Sequence, residues 1–173
     1  MEYTLKSIKT FRGMDGQGMN ATLYRDGVKV ALVIDDGCGG EIHLEWVDYQ
    51  APRVTVPWVN YEGQPCEIRC TPEASKLYEF LRGKTWNIGK MFGKADKEIQ
   101  VDIGIFIGEL ADKTINENRF KRLCKSKTLF RLKTDEKDCW RTLKSPFNQQ
   151  VKDLIMREFG SQVESIMNEM LTS

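Results

Sequence analysis

The sequence predicts an α+β fold in one compact domain over residues 1–173, with a candidate sub-boundary at 84–98. Three observations carry this. Period-two alternation with glycine-rich turns fills the first fifty residues. Helical spacing begins only after Thr71, and a short hairpin pattern then precedes amphipathic C-terminal segments. Strands and helices thus fall in separate runs instead of alternating as βαβ units.

The N-terminal meander is read strand by strand. Residues 3–11 are β-compatible, and 13–18 hold three glycines and read as a loop. In 19–24, Met19, Ala21 and Leu23 share one face. Asp26-Gly27 is a two-residue hairpin signal. The return strand 28–34 places Val28, Val30, Leu32 and Ile34 on one face and Ala31 and Val33 on the other, the mark of a strand buried on both sides. After the break at 35–40, residues 41–47 alternate Ile42, Leu44 and Trp46 against Glu41, His43 and Glu45.

Pro52, Pro57 and Pro65 make 48–70 irregular and limit 54–59 to an edge strand. Thr71-Pro72 starts a helix as N-cap and first residue, Ala74, Leu77, Tyr78 and Leu81 follow helical spacing, and Gly83 caps its end. Residues 84–98 read as a mobile connection. Segment 99–125 fits both periods, and a helix is favoured because Phe120, Leu123 and Cys124 continue the helical one. Strands at 127–133 and 139–144 flank a turn at 134–138. A helix starting at Ser145-Pro146 carries Val151, Leu154, Ile155 and Phe159 to Gly160. A last amphipathic helix over 161–171 carries Val163, Ile166, Met167, Met170 and Leu171, and a homodimer contact through 161–171 is one use for that stripe.

Composition excludes several classes. With 173 residues, 40% hydrophobic and 29% charged, the chain is neither collagen-like nor disordered, and its core needs no disulfide or structural metal. No apolar run is long enough for a membrane span. The N-terminus lacks a basic region before an apolar run, so no signal peptide is read. The five cysteines are scattered, which predicts reduced thiols and a cytoplasmic setting.

The net charge of +1 conceals an asymmetry. Residues 1–112 carry 13 basic and 17 acidic residues, whereas 113–144 carry 11 basic and 4 acidic. Arg119, Lys121, Arg122, Lys125, Lys127, Arg131 and Arg141 lie in that block, interleaved with Phe120, Phe130 and Trp140. Such residues supply ion pairs to a phosphate backbone, and aromatics supply stacking faces. The same pattern also fits a solvated helix face with its aromatics in the core. No helix-turn-helix, RNP or zinc-finger pattern accompanies it.

Two other constellations merit weighing. Asp35, Asp36, Glu41 and Glu45 form a candidate acidic surface for a basic partner. Glu41, His43 and Glu45 share period-two spacing, and imidazole with carboxylates suits a divalent cation or acid–base work. Solvent-facing strand positions look the same. Cys66 and Cys70 have permitted zinc spacing but lack a second matched pair. The glycine loops match neither a dinucleotide fingerprint nor a P-loop and read as turns. No cofactor is expected.

The run KTFRGMDGQGMNATLYRDGVKVALVIDDGCGGEIHLEW, followed later by CKSKTLFRLK, resembles small uncharacterised accessory proteins of phages and prophages. The likeness covers about a third of the chain and carries over no catalytic residues. It implies a host-cytoplasm setting and a role at the phage–host interface, such as blocking a defence system. The expected function is therefore a non-enzymatic binding protein whose basic segment at 119–144 contacts nucleic acid or a host nucleoprotein complex. The alternatives are an acidic-surface inhibitor of a basic host protein and a small metal-dependent enzyme.

Overall fold

A computed structural model describes residues 1–60, 62–87 and 98–171. The fold is α+β, as the sequence predicts. The chain divides into two compact units, Met1–Lys113 and Thr114–Ser173. The division falls inside a helix and not at 84–98.

In the first unit, β1 (Tyr3–Arg12), β2 (Gln17–Arg25), β3 (Val28–Asp35) and β4 (His43–Trp46) form an antiparallel sheet in sequence order. The Asp26-Gly27 turn joins β2 and β3, with φ of 49° and 81°. Positive φ at both central residues matches the right-handed twist of the strands they join.

Two bulges reset the side-chain alternation. Between β1 and β2, Ser7 and Ile8 together oppose Ala21, and Ser7 takes a left-handed φ of 56°. Between β2 and β3, Lys29 pairs with Tyr24 and Ala31 with Leu23, so Val30 is the extra residue. A bulge shifts alternation by one position. Val30, Ala31 and Val33 are therefore buried while Val28 and Leu32 are exposed. The expected face of Val28, Val30, Leu32 and Ile34 is thus broken after Val30, and β3 is buried chiefly on one side.

β5 (Val54–Val59) and β6 (Pro65–Cys70) form a separate two-stranded ribbon. α1 (Pro72–Leu81) is capped as its sequence predicts: the Thr71 hydroxyl accepts from the Ala74 amide at 3.1 Å. Gly83, with φ of 75°, follows the C-cap Arg82. Leu77 and Leu81 join Leu23, Val33 and Trp58 in the core. Tyr3, Phe80 and Phe106 pack edge to face or tilted at centroid distances of 5.1–6.0 Å.

The expected connection at 84–98 contains structure at its ends. β7 (Thr85–Asn87) pairs with β8 (Glu98–Gln100), and residues 88–97 lie outside the described residues. α2 (Ile103–Cys124) then confirms the helical reading of 99–125 apart from its first turn. Asp102 starts it, accepting from the Ile105 amide at 2.7 Å.

The second unit is built on β9 (Thr128–Leu132), flanked by β10 (Arg141–Leu143) and β11 (Val163–Ile166). α3 (Gln149–Phe159) begins later than Ser145-Pro146 because the Asn148 side chain is the cap, accepting from the Val151 amide at 2.9 Å. The expected helix over 161–171 is a correction. Residues 160–162 form one 3₁₀ turn, 163–166 are a strand, and only α4 (Met167–Met170) is helical. Glu164 is the extra residue where Val163 faces Leu132 and Ser165 faces Arg131. That bulge lets Val163 and Ile166, three apart, pack against one core, which imitates helical spacing. Phe130, Leu132, Val151, Ile155 and Ile166 form the centre of this core.

Candidate nucleic-acid interface

The basic residues of the second unit separate into two groups. Arg131 and Arg141 are tied to carboxylates. Arg131 lies 2.8 Å from Glu164, donates also to the Lys137 carbonyl, and stacks over Trp140 at 5.2 Å. Arg141 makes two bonds of 2.7 and 2.8 Å to Asp135. The bond from Arg141, and then the Leu132 amide, hold the Asp135 carboxyl down at about 2. These guanidiniums close the turn at 134–138 and fasten the β11 bulge.

Arg119, Lys121, Arg122 and Lys125 are exposed, and Lys127 is half-buried. None has a carboxylate partner among the described residues. At about 100° per residue, Arg119, Lys121 and Arg122 fall within an arc of about 160°, a little under half the circumference of the last two turns of α2. Lys121 and Arg122 also sit at the carbonyl end of the helix, where a cation stabilises by about 0.3–1 kcal/mol.

Lys121 and Lys125 border a cavity of about 350 Å³ whose walls include Cys124, Phe147, Asn168 and Leu171. Burial raises the Cys124 thiol, which leaves it protonated and poorly nucleophilic. Asn168, only 4% exposed, donates to the carbonyls of Cys124 and Lys127 and accepts from the Leu129 amide. It fixes the turn that presents Lys125. The sequence reading missed Asn168; its one signal was an amide followed by Glu169 among the apolar residues Ile166, Met167, Met170 and Leu171.

The aromatics of the segment are occupied. Phe130 is buried, and Phe120 packs edge to face on Trp140 at 6.0 Å. Phe120 and Trp140 are half-buried, and Arg131 lies over the indole, so these rings are already in contact with neighbouring side chains.

The acidic candidates lie in the first unit. Asp35 and Asp36 accept from the Gly37 and Cys38 amides, both at 2.9 Å, and so shape their own loop. That loop packs on the 13–18 turn, where the Asp15 amide donates to the Gly37 carbonyl at 2.9 Å. Both glycine loops are thus structural turns. Glu41, His43 and Glu45 are exposed, and His43 and Glu45 face solvent opposite Ile34 and Leu32. Among the described residues, no group of three or more His, Cys, Asp and Glu side chains is arranged to hold a metal ion. Cys66 and Cys70 are free thiols on β6.

The stripe assigned to a homodimer contact is largely interior: Ile166 and Met167 are buried, and Met170 remains exposed. No described helix is long and apolar enough to cross a membrane. Comparison with known proteins finds no matching family model, no matching curated protein and no matching solved structure.

Proposed function

We propose that the second unit binds the phosphate backbone of nucleic acid, free or within a nucleoprotein complex, as a non-enzymatic contact. The carrying observation is the group of exposed cations at the end of α2, Arg119, Lys121, Arg122 and Lys125, which lack carboxylate partners among the described residues. Residues 114–173 hold 12 basic and 8 acidic residues, whereas 1–113 hold 14 and 17, so attraction to a polyanion is confined to one unit. Arg131 and Arg141 are left out of the contact surface, because each would have to give up a carboxylate to reach a phosphate. Occupied aromatics favour backbone attraction over base stacking, and hence weak sequence preference. The resemblance to phage and prophage accessory proteins supports host nucleic-acid machinery as the setting.

The test is a fluorescence-anisotropy titration with duplex DNA, single-stranded DNA and RNA at two salt concentrations. Micromolar or tighter binding is expected at low salt. Four neutralised phosphates give a log–log salt slope of about −3.6 on duplex DNA. The double reversal Arg122→Glu with Lys125→Glu is expected to weaken binding at least about tenfold, a loss of about 1.4 kcal/mol. No binding at low salt, or no effect of the double reversal, overturns the proposal.

A further inference from the structure

We propose that a cavity in the first unit receives the guanidinium group of an arginine borne by a partner protein. This goes beyond the nucleic-acid reading and concerns different residues. The cavity, of about 510 Å³, lies among β4, α1 and the start of α2, and is lined by Glu41, Trp46, Tyr78 and Asp102 with Ile42 and Leu44. Its size falls in the range of ordinary small-ligand sites, about 300–1,000 Å³.

Its chemistry selects a cation. The two ionisable carboxylates in the lining face no lysine, arginine or histidine there. Glu41 is exposed and has no partner among the described residues. Asp102 uses one oxygen to cap α2 through the Ile105 amide at 2.7 Å. Its second oxygen remains for a ligand. Burial, with Asp102 and Glu41 contributing, raises the Tyr78 phenol, so it stays an uncharged hydroxyl beside them. The Tyr78 ring packs edge to face on Trp58 at 4.9 Å, and the half-buried Trp46 adds an indole surface that attracts a cation electrostatically.

An arginine suits this lining better than a lysine. The guanidinium is flat, weakly hydrated and able to stack on an indole while bonding carboxylates. The apolar side chains of Ile42 and Leu44 match its methylene stem. A peptide-borne arginine suits it better than the free amino acid. The first unit holds 14 basic and 17 acidic residues, and this excess of negative charge attracts a basic protein face that carries the arginine.

The experiment follows the indole N–H signals of the full ¹⁵N-labelled chain by NMR. The chain has four tryptophans, and Trp46→Phe assigns the relevant one. The probes are an acetylated, amidated Gly-Arg-Gly peptide, its lysine and citrulline counterparts, and spermidine. The expected result is a saturable shift of the Trp46 signal with the arginine peptide. Weaker binding is expected for lysine and none for citrulline, which keeps the shape and loses the charge. Glu41→Gln with Asp102→Asn is expected to weaken binding at least about tenfold. Asparagine keeps the cap of α2, so the unfolding midpoint should barely move. Equal binding of citrulline, tighter binding of spermidine, a silent Trp46, or an unaffected double variant overturns the proposal.

Discussion

The side-chain amide of Asn168 donates to the Cys124 carbonyl at 3.1 Å, so a residue of α4 caps the end of α2 across 44 positions of sequence. The same amide donates to Lys127 at 2.9 Å, and its oxygen accepts from the Leu129 amide at 2.9 Å. One buried side chain thereby satisfies three backbone groups, of which the Leu129 amide is buried and the two carbonyls are partly so. Leaving such groups unpaired costs about 1–3 kcal/mol each, reduced where the site relaxes. Asn168→Ala is expected to lower stability by about 2–4 kcal/mol. Urea unfolding would show a lower midpoint, and hydrogen exchange would quicken at the Leu129 amide. Asn168→Asp keeps the acceptor but turns a carboxylate toward two carbonyl oxygens. It should be at least as damaging at neutral pH, and partly relieved as the pH falls and the group regains a donor. Unchanged exchange at Leu129 in the alanine variant would count against this account.

Asp135 supplies a pH dependence of known sign. Its folded-state value is about 2, below the ordinary 3.8, because Arg141 and the Leu132 amide bond the charged form. A depressed carboxyl stabilises above its unfolded value and loses that contribution as pH falls through the folded one. The window is therefore pH 4 down to about 2. Asp135→Asn should be less stable than the parent at pH 6, and the two melting curves should converge as pH drops through that window. A gap that stays constant down to pH 2 would show that the pair is not what differs.

The glycine loops give a paired test of packing. A Cβ at Gly13 would lie 2.5 Å from the Gly37 carbonyl oxygen and 2.6 Å from that of Asp36, both backbone atoms. A Cβ at Gly16 meets nothing within 4 Å. Gly13→Ala is expected to cost about 1–3 kcal/mol. Gly16→Ala should stay within about 0.5 kcal/mol. Differential scanning calorimetry separates the two, and equal melting temperatures would contradict the close approach of the loops.

Local signals in the sequence were reliable wherever one turn of chain decides the outcome. Asp26-Gly27 adopts the positive φ values that its residue types permit, and Thr71-Pro72 caps α1, because neither depends on distant residues. Asn148 replaced Ser145 as the start of α3 through a single side-chain bond that helical periodicity does not register.

By itself, the sequence determined the α+β class, the order of the N-terminal meander and the concentration of positive charge after residue 112. These follow from composition, hydrophobic period and turn chemistry, which are properties of neighbouring residues. Tertiary structure alone decided the bulges at Ser7, Val30 and Glu164, since an extra residue is defined only against the strand it pairs with. It also decided which cations remain for a ligand. Arg131 and Arg122 are equivalent in a count of charges, but the fold brings Glu164 to Arg131 from 33 residues away and brings no described carboxylate to Arg122. Ion pairing depends on distances of a few ångströms, and chain folding, not sequence separation, sets those.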